Sequence, residues 1–226
     1  MVQNIHFGGD KKTGESLLSG IEKKIVAKYV SKIPPWIETY HLTLLTILWS
    51  GLIVLFSFLA RDNINWLWLV SLMIFFQYIT DLFDGAVGRY RNTGLVRWGY
   101  YMDHLLDYLF LCSVLIGYSF ILPDRFKYLL FFILAIFGAF MVNSYLAFAA
   151  TNKFKIAYLK IGPTEIRILF IIINTLLIIF GKTYMGKALP FVLCLSLAGL
   201  CFVVYKTQKY IWKLDMENKK QEIPKK

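Results

Sequence analysis

Charged residues are scarce in this 226-residue chain: they make up 17% of it, whereas 58% of the residues are hydrophobic. An ordinary soluble domain carries about 25% charged residues. This shortage excludes a soluble domain and indicates a protein that resides in a bilayer.

Cysteine and histidine are also rare, at three residues each. Cys112, Cys194 and Cys201 lie far apart inside apolar stretches, without the spacing of a zinc site or a disulfide framework. The first fifteen residues are polar and contain no apolar core of a signal peptide. We therefore expect no cleavable signal and expect the first membrane span to direct insertion.

The charge that is present is mostly positive, with a formal net charge of +11. Basic residues flank the apolar runs, which is typical of loops that meet anionic lipid headgroups. We therefore expect membrane lipids, and no nucleic acid, among the partners.

Six apolar runs are each long enough to cross a bilayer, which takes about 20 residues. We predict an all-α integral membrane protein with six transmembrane helices within residues 37–206. Residues 1–36 form the N-terminal part and residues 207–226 a basic tail. The predicted spans cover 41–60, 64–86, 95–122, 126–150, 164–181 and 187–205.

An amphipathic helix is predicted before the first span, from about Glu15 to Lys32. Its apolar face would lie in the membrane interface; a helix that packs on a cytosolic partner is the alternative. That face contains Leu17, Leu18, Ile21, Ile25 and Tyr29.

Six spans place both termini on one side of the membrane. Lysine and arginine concentrate at the termini and in the connections between spans 2 and 3 and between spans 4 and 5. By the positive-inside rule, we expect these parts to be cytosolic.

Four aspartates lie where the second and third predicted spans meet the cytosolic side. Asp81 and Asp84 are spaced i,i+3, and Asp103 and Asp107 are spaced i,i+4, so each pair shares a helix face. Four carboxylates at the edge of hydrocarbon repel one another unless they bind protons or cations. Oxygen ligands favour magnesium, manganese or calcium over zinc. His104 would point about 100° away from Asp103, so we do not expect it to be a ligand.

A glycine-rich turn is predicted over residues 85–94, next to the first acidic pair. Gly85 and Gly88 leave room for a bulky ligand, and Arg89 can donate two hydrogen bonds to a phosphate. Metal, arginine and a small-residue hollow together fit a diphosphate. Helix capping by the aspartates and helix packing by the glycines are the structural alternatives, and a cation transporter or an aspartate-rich prenyltransferase are the functional ones.

These residues resemble the signature of the CDP-alcohol phosphotransferase (phosphatidyltransferase) family, D-x-x-D-G-x-x-A-R, eight or nine residues, then G-x-x-x-D-x-x-x-D. Seven of its eight defining positions match, and Gly88 replaces the alanine. Here the signature reads Asp81-Leu-Phe-Asp84-Gly85-Ala-Val-Gly88-Arg89, nine residues, then Gly99-Tyr-Tyr-Met-Asp103-His-Leu-Leu-Asp107.

The resemblance implies a reaction in phospholipid synthesis, in which an alcohol attacks the phosphate of a CDP-linked donor and CMP leaves. It implies that Asp81, Asp84 and Asp103 bind Mg²⁺ or Mn²⁺, usually as a pair of ions, and that Asp107, which also belongs to the acidic set, is the general base. It also implies a homodimer, and it places around the CDP moiety Asp81, Gly85, Gly88 and Arg89.

A second motif begins the fifth span, Gly162-Pro163-Thr164-Glu165-Ile-Arg167. Proline, threonine and glutamate are suited to a helix N-terminus, so capping is one interpretation. In the other, Glu165 or Arg167 faces the acceptor pocket. Gly-Pro-Thr-Glu is similar to a stretch in choline and ethanolamine phosphotransferases, whereas the chain length is more like bacterial enzymes that use CDP-diacylglycerol, so the donor stays open.

Overall fold

The computed structural model describes residues 12–13, 16–93, 95–152, 154–155 and 162–222. Short 3-10 turns lie at Val30–Lys32 and Ile64–Trp66, and a two-residue parallel pairing joins Lys12–Thr13 to Phe154–Lys155. The α-helices in these ranges are α1 (Ser19–Tyr29), α2 (Thr39–Leu59), α3 (Leu67–Arg91), α4 (Val96–Ile121), α5 (Asp124–Thr151), α6 (Pro163–Phe180) and α7 (Lys182–Glu222).

Helices α2 to α7 confirm the predicted fold class. Within the described ranges, six helices are long and apolar enough to cross a bilayer, and they coincide with the six predicted spans. Their apolar side chains remain exposed on the outside of the bundle, as lipid contact requires. The chain is therefore a multi-pass membrane protein, while the domain limits at residues 37 and 206 stay a prediction.

The predicted turn over residues 85–94 is wrong in its first part, because α3 stays helical to Arg91. Glycine in a helix costs only about 1 kcal/mol relative to alanine. Ala86 and Val87 offset that cost by packing against Val30 and Leu42. The helix ends one residue later at Asn92, whose left-handed backbone (φ 54°) asparagine tolerates better than most residues.

The last helix is longer than its predicted span. Helix α7 has 41 residues, or about 60 Å at 1.5 Å per residue, which is about twice the thickness of the hydrocarbon core. It continues through Pro190 at one end and through Lys206–Lys220 at the other. Most of the segment predicted as a basic tail is thus a helical extension.

The bundle core forms where α2 packs against α3 and α4, while α6 packs on α3 and α5 on α7. A side chain at Gly117 would overlap Ser57, so α2 and α4 approach closely at this point. Deep in the bundle, the Tyr118 hydroxyl donates to Asn174 (3.0 Å), and Asn174 donates to Ser71 (3.1 Å). These bonds hold α6 against α4 and α3.

Helix α1 presents part of its predicted apolar face to the outside. Leu17, Ile21 and Tyr29 are exposed, and α1 contains no fully buried residue. Its opposite side packs on the bundle through Val26, next to the buried Val30. The exposed residues are available to lipid, and the interfacial placement stays a prediction.

Candidate active site

The end of α3 and the start of α4 bring two acidic helix faces together. Thr93 N–H donates to the Gly88 carbonyl oxygen (3.1 Å) as the chain leaves α3, and α4 begins at Val96. Asp81 therefore lies in the last turns of α3, and Asp103 and Asp107 lie in the first turns of α4. A short connection thus suffices to place both acidic faces at one end of the bundle.

Three of the four predicted acids form one cluster. Asp81, Asp103 and Asp107 each contribute an oxygen that lies within 4.8 Å of the other two. Their side chains are 23%, 24% and 26% exposed, so a ligand can reach them from outside. Oxygens on opposite sides of one magnesium or calcium ion are about 4 to 5 Å apart. The donor set and its spacing fit a hard divalent cation.

Asp84 lies apart from this cluster. It is 9% exposed and accepts hydrogen bonds from the Thr43 hydroxyl on α2 (3.0 Å) and from Gly85 N–H. The acidic group that can hold a metal, among the described residues, therefore contains Asp107 and omits Asp84. The division into three ligands and one base stays a prediction.

Arg167 lies against the acid cluster, and its role in the acceptor pocket stays a prediction. Its Nη2 atom is 2.8 Å from Asp107 Oδ1 and 3.1 Å from Asp81 Oδ2. The side chain is 4% exposed, and its guanidinium also lies 5.6 Å from the centre of the Phe110 ring. Three carboxylates and one guanidinium leave a formal charge of −2, which one divalent cation would neutralise.

His104 lies closer to the cluster than its predicted orientation implied. Its Nδ1 atom is 3.3 Å from Asp103 Oδ2, and its ring packs between Tyr100 and Tyr145. The Tyr145 hydroxyl donates to the His104 carbonyl oxygen (3.2 Å). His104 does not belong to the group of three aspartates that can hold a metal. It contacts Asp103, which does belong to that group.

The predicted nucleotide-binding residues line one face of the α3 C-terminal turns. Arg89 is exposed and folds back over Gly85: a methyl group on that glycine would lie 3.1 Å from Arg89 Nη1. Gly88 is buried, and its carbonyl oxygen helps to end the helix. Gly85 is therefore the place where the backbone leaves room for the Arg89 guanidinium.

Glu165, the second acceptor-pocket candidate, has both carboxylate oxygens engaged with backbone amides. Gly162 N–H donates to Oε2 (2.8 Å), which caps α6, and Leu18 N–H donates to Oε1 (3.2 Å). The capping interpretation is thus confirmed. A role of Glu165 in the acceptor pocket stays a prediction.

The contact of Glu22 with Tyr78 and Thr164 was not predicted from the sequence. The Glu22 carboxylate on α1 accepts hydrogen bonds from Tyr78 (3.2 Å) and Thr164 (2.6 Å). The only signal in the sequence was that Glu22 is an acid directly before Lys23 and Lys24 on a basic helix. Such a residue is equally typical of a solvated helix face, so the signal is weak.

Comparison with known proteins gives one family. The family model described as CDP-alcohol phosphatidyltransferase matches residues 39–204, which is more than half of the chain. The search of curated proteins found no match to this chain. The matched region begins at the first residue of α2 and contains the acid cluster and Arg167, while α1 lies before it.

Proposed function

This chain belongs to the CDP-alcohol phosphatidyltransferase family, and from that premise we propose that it transfers a substituted phosphate group from a CDP-linked donor to an alcohol during phospholipid synthesis. Membership makes it a transferase of phosphate-containing groups. The observation that carries the specific proposal is the cluster of Asp81, Asp103 and Asp107 with Arg167, inside the matched region.

The acids would hold the metal that this chemistry uses. Asp81 and Asp103 are ligand candidates by position and by the resemblance, and Asp107 shares their cluster. Bound Mg²⁺ or Mn²⁺, one ion or the pair that the resemblance implies, would neutralise charge on the diphosphate oxygens. Arg89 lies exposed one turn after Gly85 and can donate two parallel hydrogen bonds to a phosphate.

The transfer itself exchanges one phosphorus–oxygen bond for another. The acceptor hydroxyl oxygen attacks the donor phosphorus that carries the transferred group, and the bond from that phosphorus to the oxygen of CMP breaks. Asp107 takes the hydroxyl proton. Arg167 touches Asp107, so it is positioned to contact the acceptor or the phosphate beside it.

The acid cluster would face the cytosol. A water-soluble CDP-linked donor can reach it from there, and the CDP group of a lipid-linked donor can reach it at the membrane surface. The basic residues at this end of the bundle support that orientation, including Arg89 and Arg91 at the end of α3 and Arg97 at the start of α4. A homodimer is part of the same proposal and rests on the resemblance alone.

A donor panel tests the function. Purified protein in lipid nanodiscs would be incubated with CDP-diacylglycerol, CDP-choline or CDP-ethanolamine and an alcohol acceptor, and CMP release would be measured. We expect CMP with one donor class, loss of CMP release after chelation, and recovery with Mg²⁺ or Mn²⁺. Metal flux into proteoliposomes without CMP release from any donor would support the transporter alternative instead.

A further inference from the structure

The N-terminal segment contacts the bundle at three places. Leu18 contacts Glu165, Glu22 contacts α3 and α6, and the connection after α1 contacts the end of α3. We propose that α1 is a wall of the active site and that Glu22 is a positioning residue, which holds α6 so that Arg167 reaches Asp81 and Asp107. This inference rests on the proposed function and concerns a helix that the family match does not include.

One oxygen of Glu22 joins three helices. Glu22 Oε1 accepts a hydrogen bond from the Tyr78 hydroxyl on α3 (3.2 Å) and another from the Thr164 hydroxyl on α6 (2.6 Å). Hydrogen bonds to a charged acceptor are shorter and stronger than neutral ones. Thr164 is buried, and Glu22 and Tyr78 are partly buried, so water competes weakly for these bonds.

Both partners of Glu22 lie one helical turn before a residue of the Asp81–Arg167 ion pair. Tyr78 precedes Asp81 by three residues on α3, and Thr164 precedes Arg167 by three residues on α6. Residues at i and i+3 share a helix face. Glu22 therefore fixes the separation of α3 and α6 next to the Asp81–Arg167 contact of 3.1 Å.

Arg91 anchors the segment that carries Glu22. Its guanidinium donates to four carbonyl oxygens in the connection from α1 to α2, those of Ile33 (2.9 Å), Pro34 (3.0 Å), Pro35 (3.4 Å) and Ile37 (2.6 Å). Val26 and Val30 also pack against Ala86 and Val87. A helix that only rested on lipid would not need hydrogen bonds from an arginine to the backbone of its connecting segment. Helix α1 is therefore packed on the bundle.

The metal ligands do not depend on this arrangement. Asp81, Asp103 and Asp107 lie on α3 and α4, and both helices pack on α2. Loss of the Glu22 bonds would therefore displace α6 and Arg167 and leave the acid cluster in place. Glu22 is expected to affect turnover much more than metal binding.

The kinetic test is a double-mutant cycle between Glu22→Ala and Arg167→Met, with Glu217→Ala as the matched control on the exposed end of α7. We expect Glu22→Ala to lower kcat about tenfold, in the range seen for residues that orient a site from outside, and to change Mn²⁺ binding less than threefold by electron paramagnetic resonance. In the Arg167→Met background its effect should fall below twofold, because Glu22 acts through Arg167. Additive losses would overturn the proposal.

Conservative variants distinguish a positioning role of Glu22 from a role in folding. Glu22→Gln keeps the accepting oxygen and is expected to retain kcat within about threefold, whereas Thr164→Val keeps shape, removes one donor and should resemble Glu22→Ala. Equal loss in Glu22→Gln and Glu22→Ala would contradict the assignment.

Hydrogen exchange provides a readout that needs no turnover. In Glu22→Ala we expect faster exchange in the first two turns of α6 and unchanged exchange in α4, while Glu217→Ala leaves both unchanged. If the native chain releases no CMP but α6 is loosened in this way, the proposed function fails and the positional role of Glu22 stands. If native turnover occurs and Glu22→Ala matches it in kcat and exchange, the role of Glu22 fails alone.

Discussion

Arg167 Nη2 lies 2.8 Å from Asp107 Oδ1, so a buried guanidinium on α6 contacts the carboxylate that is the predicted general base on α4. The same nitrogen lies 3.1 Å from Asp81 on α3. One cation thereby connects the two acidic helices to the helix that begins with the Gly-Pro-Thr-Glu motif. Removal of that positive charge should strengthen metal binding and weaken transfer.

Replacement of Arg167 by methionine tests both expected effects, on metal binding and on transfer. The cluster would change from a formal charge of −2 to −3, so Mg²⁺ should raise the thermal unfolding temperature more in the variant than in the native protein. Transfer should fall about a hundredfold, because a fixed positive group beside the reacting phosphate is lost. Arg61→Met, at an exposed arginine of the α2–α3 connection, is the control. A smaller Mg²⁺-induced shift in Arg167→Met than in native protein would contradict the electrostatic argument.

Asp107→Asn tests the predicted base. Asparagine cannot accept the hydroxyl proton as a carboxylate does, so CMP release should fall at least about a hundredfold. Binding of the CDP-linked donor should remain, because the donor contacts expected at Gly85 and Arg89 are untouched. Asp124→Asn is the matched control, since that aspartate lies at the start of α5 and pairs with Lys127 (2.6 Å). Normal turnover in Asp107→Asn would refute the assignment.

The membrane spans and three clustered acids were predictable because both depend on local patterns. An apolar run of about twenty residues has few other uses, and i,i+3 or i,i+4 spacing places two carboxylates on one face in any helix. Asp81, Asp103 and Asp107 needed only a short connection between two such helices to meet. Asp84 has the same local spacing, but it contacts Thr43, which is 41 residues away.

Contacts that depend on packing between distant helices were not predictable. Glu22 is 56 residues from Tyr78 and 142 residues from Thr164, so no spacing rule connects them. The extension of α3 to Arg91 was missed because glycine and asparagine are typical of turns. Burial of Val87 against residues from α1 and α2 outweighed that local preference.

Gly85→Ala tests whether Arg89 needs the space that this glycine leaves. The added methyl would lie 3.1 Å from Arg89 Nη1, so the exposed guanidinium would have to shift. We expect a higher KM for the CDP-linked donor, with stability unchanged or raised by up to about 1 kcal/mol, because alanine is the better helix former. Gly51→Ala is the control, since a methyl at that helical position would have no atom within 4 Å beyond its chain neighbours and the local helix backbone. The same KM in both variants would contradict a role for this hollow in donor binding.

Asp84→Asn and Thr43→Val separate a carboxyl group that serves the ligand from a hydrogen bond that joins two helices. Asparagine keeps an oxygen that accepts from Thr43, so the α2–α3 contact survives while the carboxyl group is lost. Valine at position 43 removes the hydroxyl and leaves the Asp84 carboxyl group in place, at a cost of about 1–3 kcal/mol in stability. If Asp84 assists metal-dependent nucleotide binding, as the resemblance implies, Asp84→Asn should weaken Mg²⁺-dependent binding of the CDP-linked donor at least about tenfold. Thr43→Val should then lower the unfolding temperature and change that binding less than threefold.

Calorimetric titration with and without Mg²⁺, together with thermal unfolding, measures both quantities. Unchanged donor binding in Asp84→Asn would mean that the carboxylate of Asp84 packs α3 against α2 and that the metal site consists of the three clustered acids.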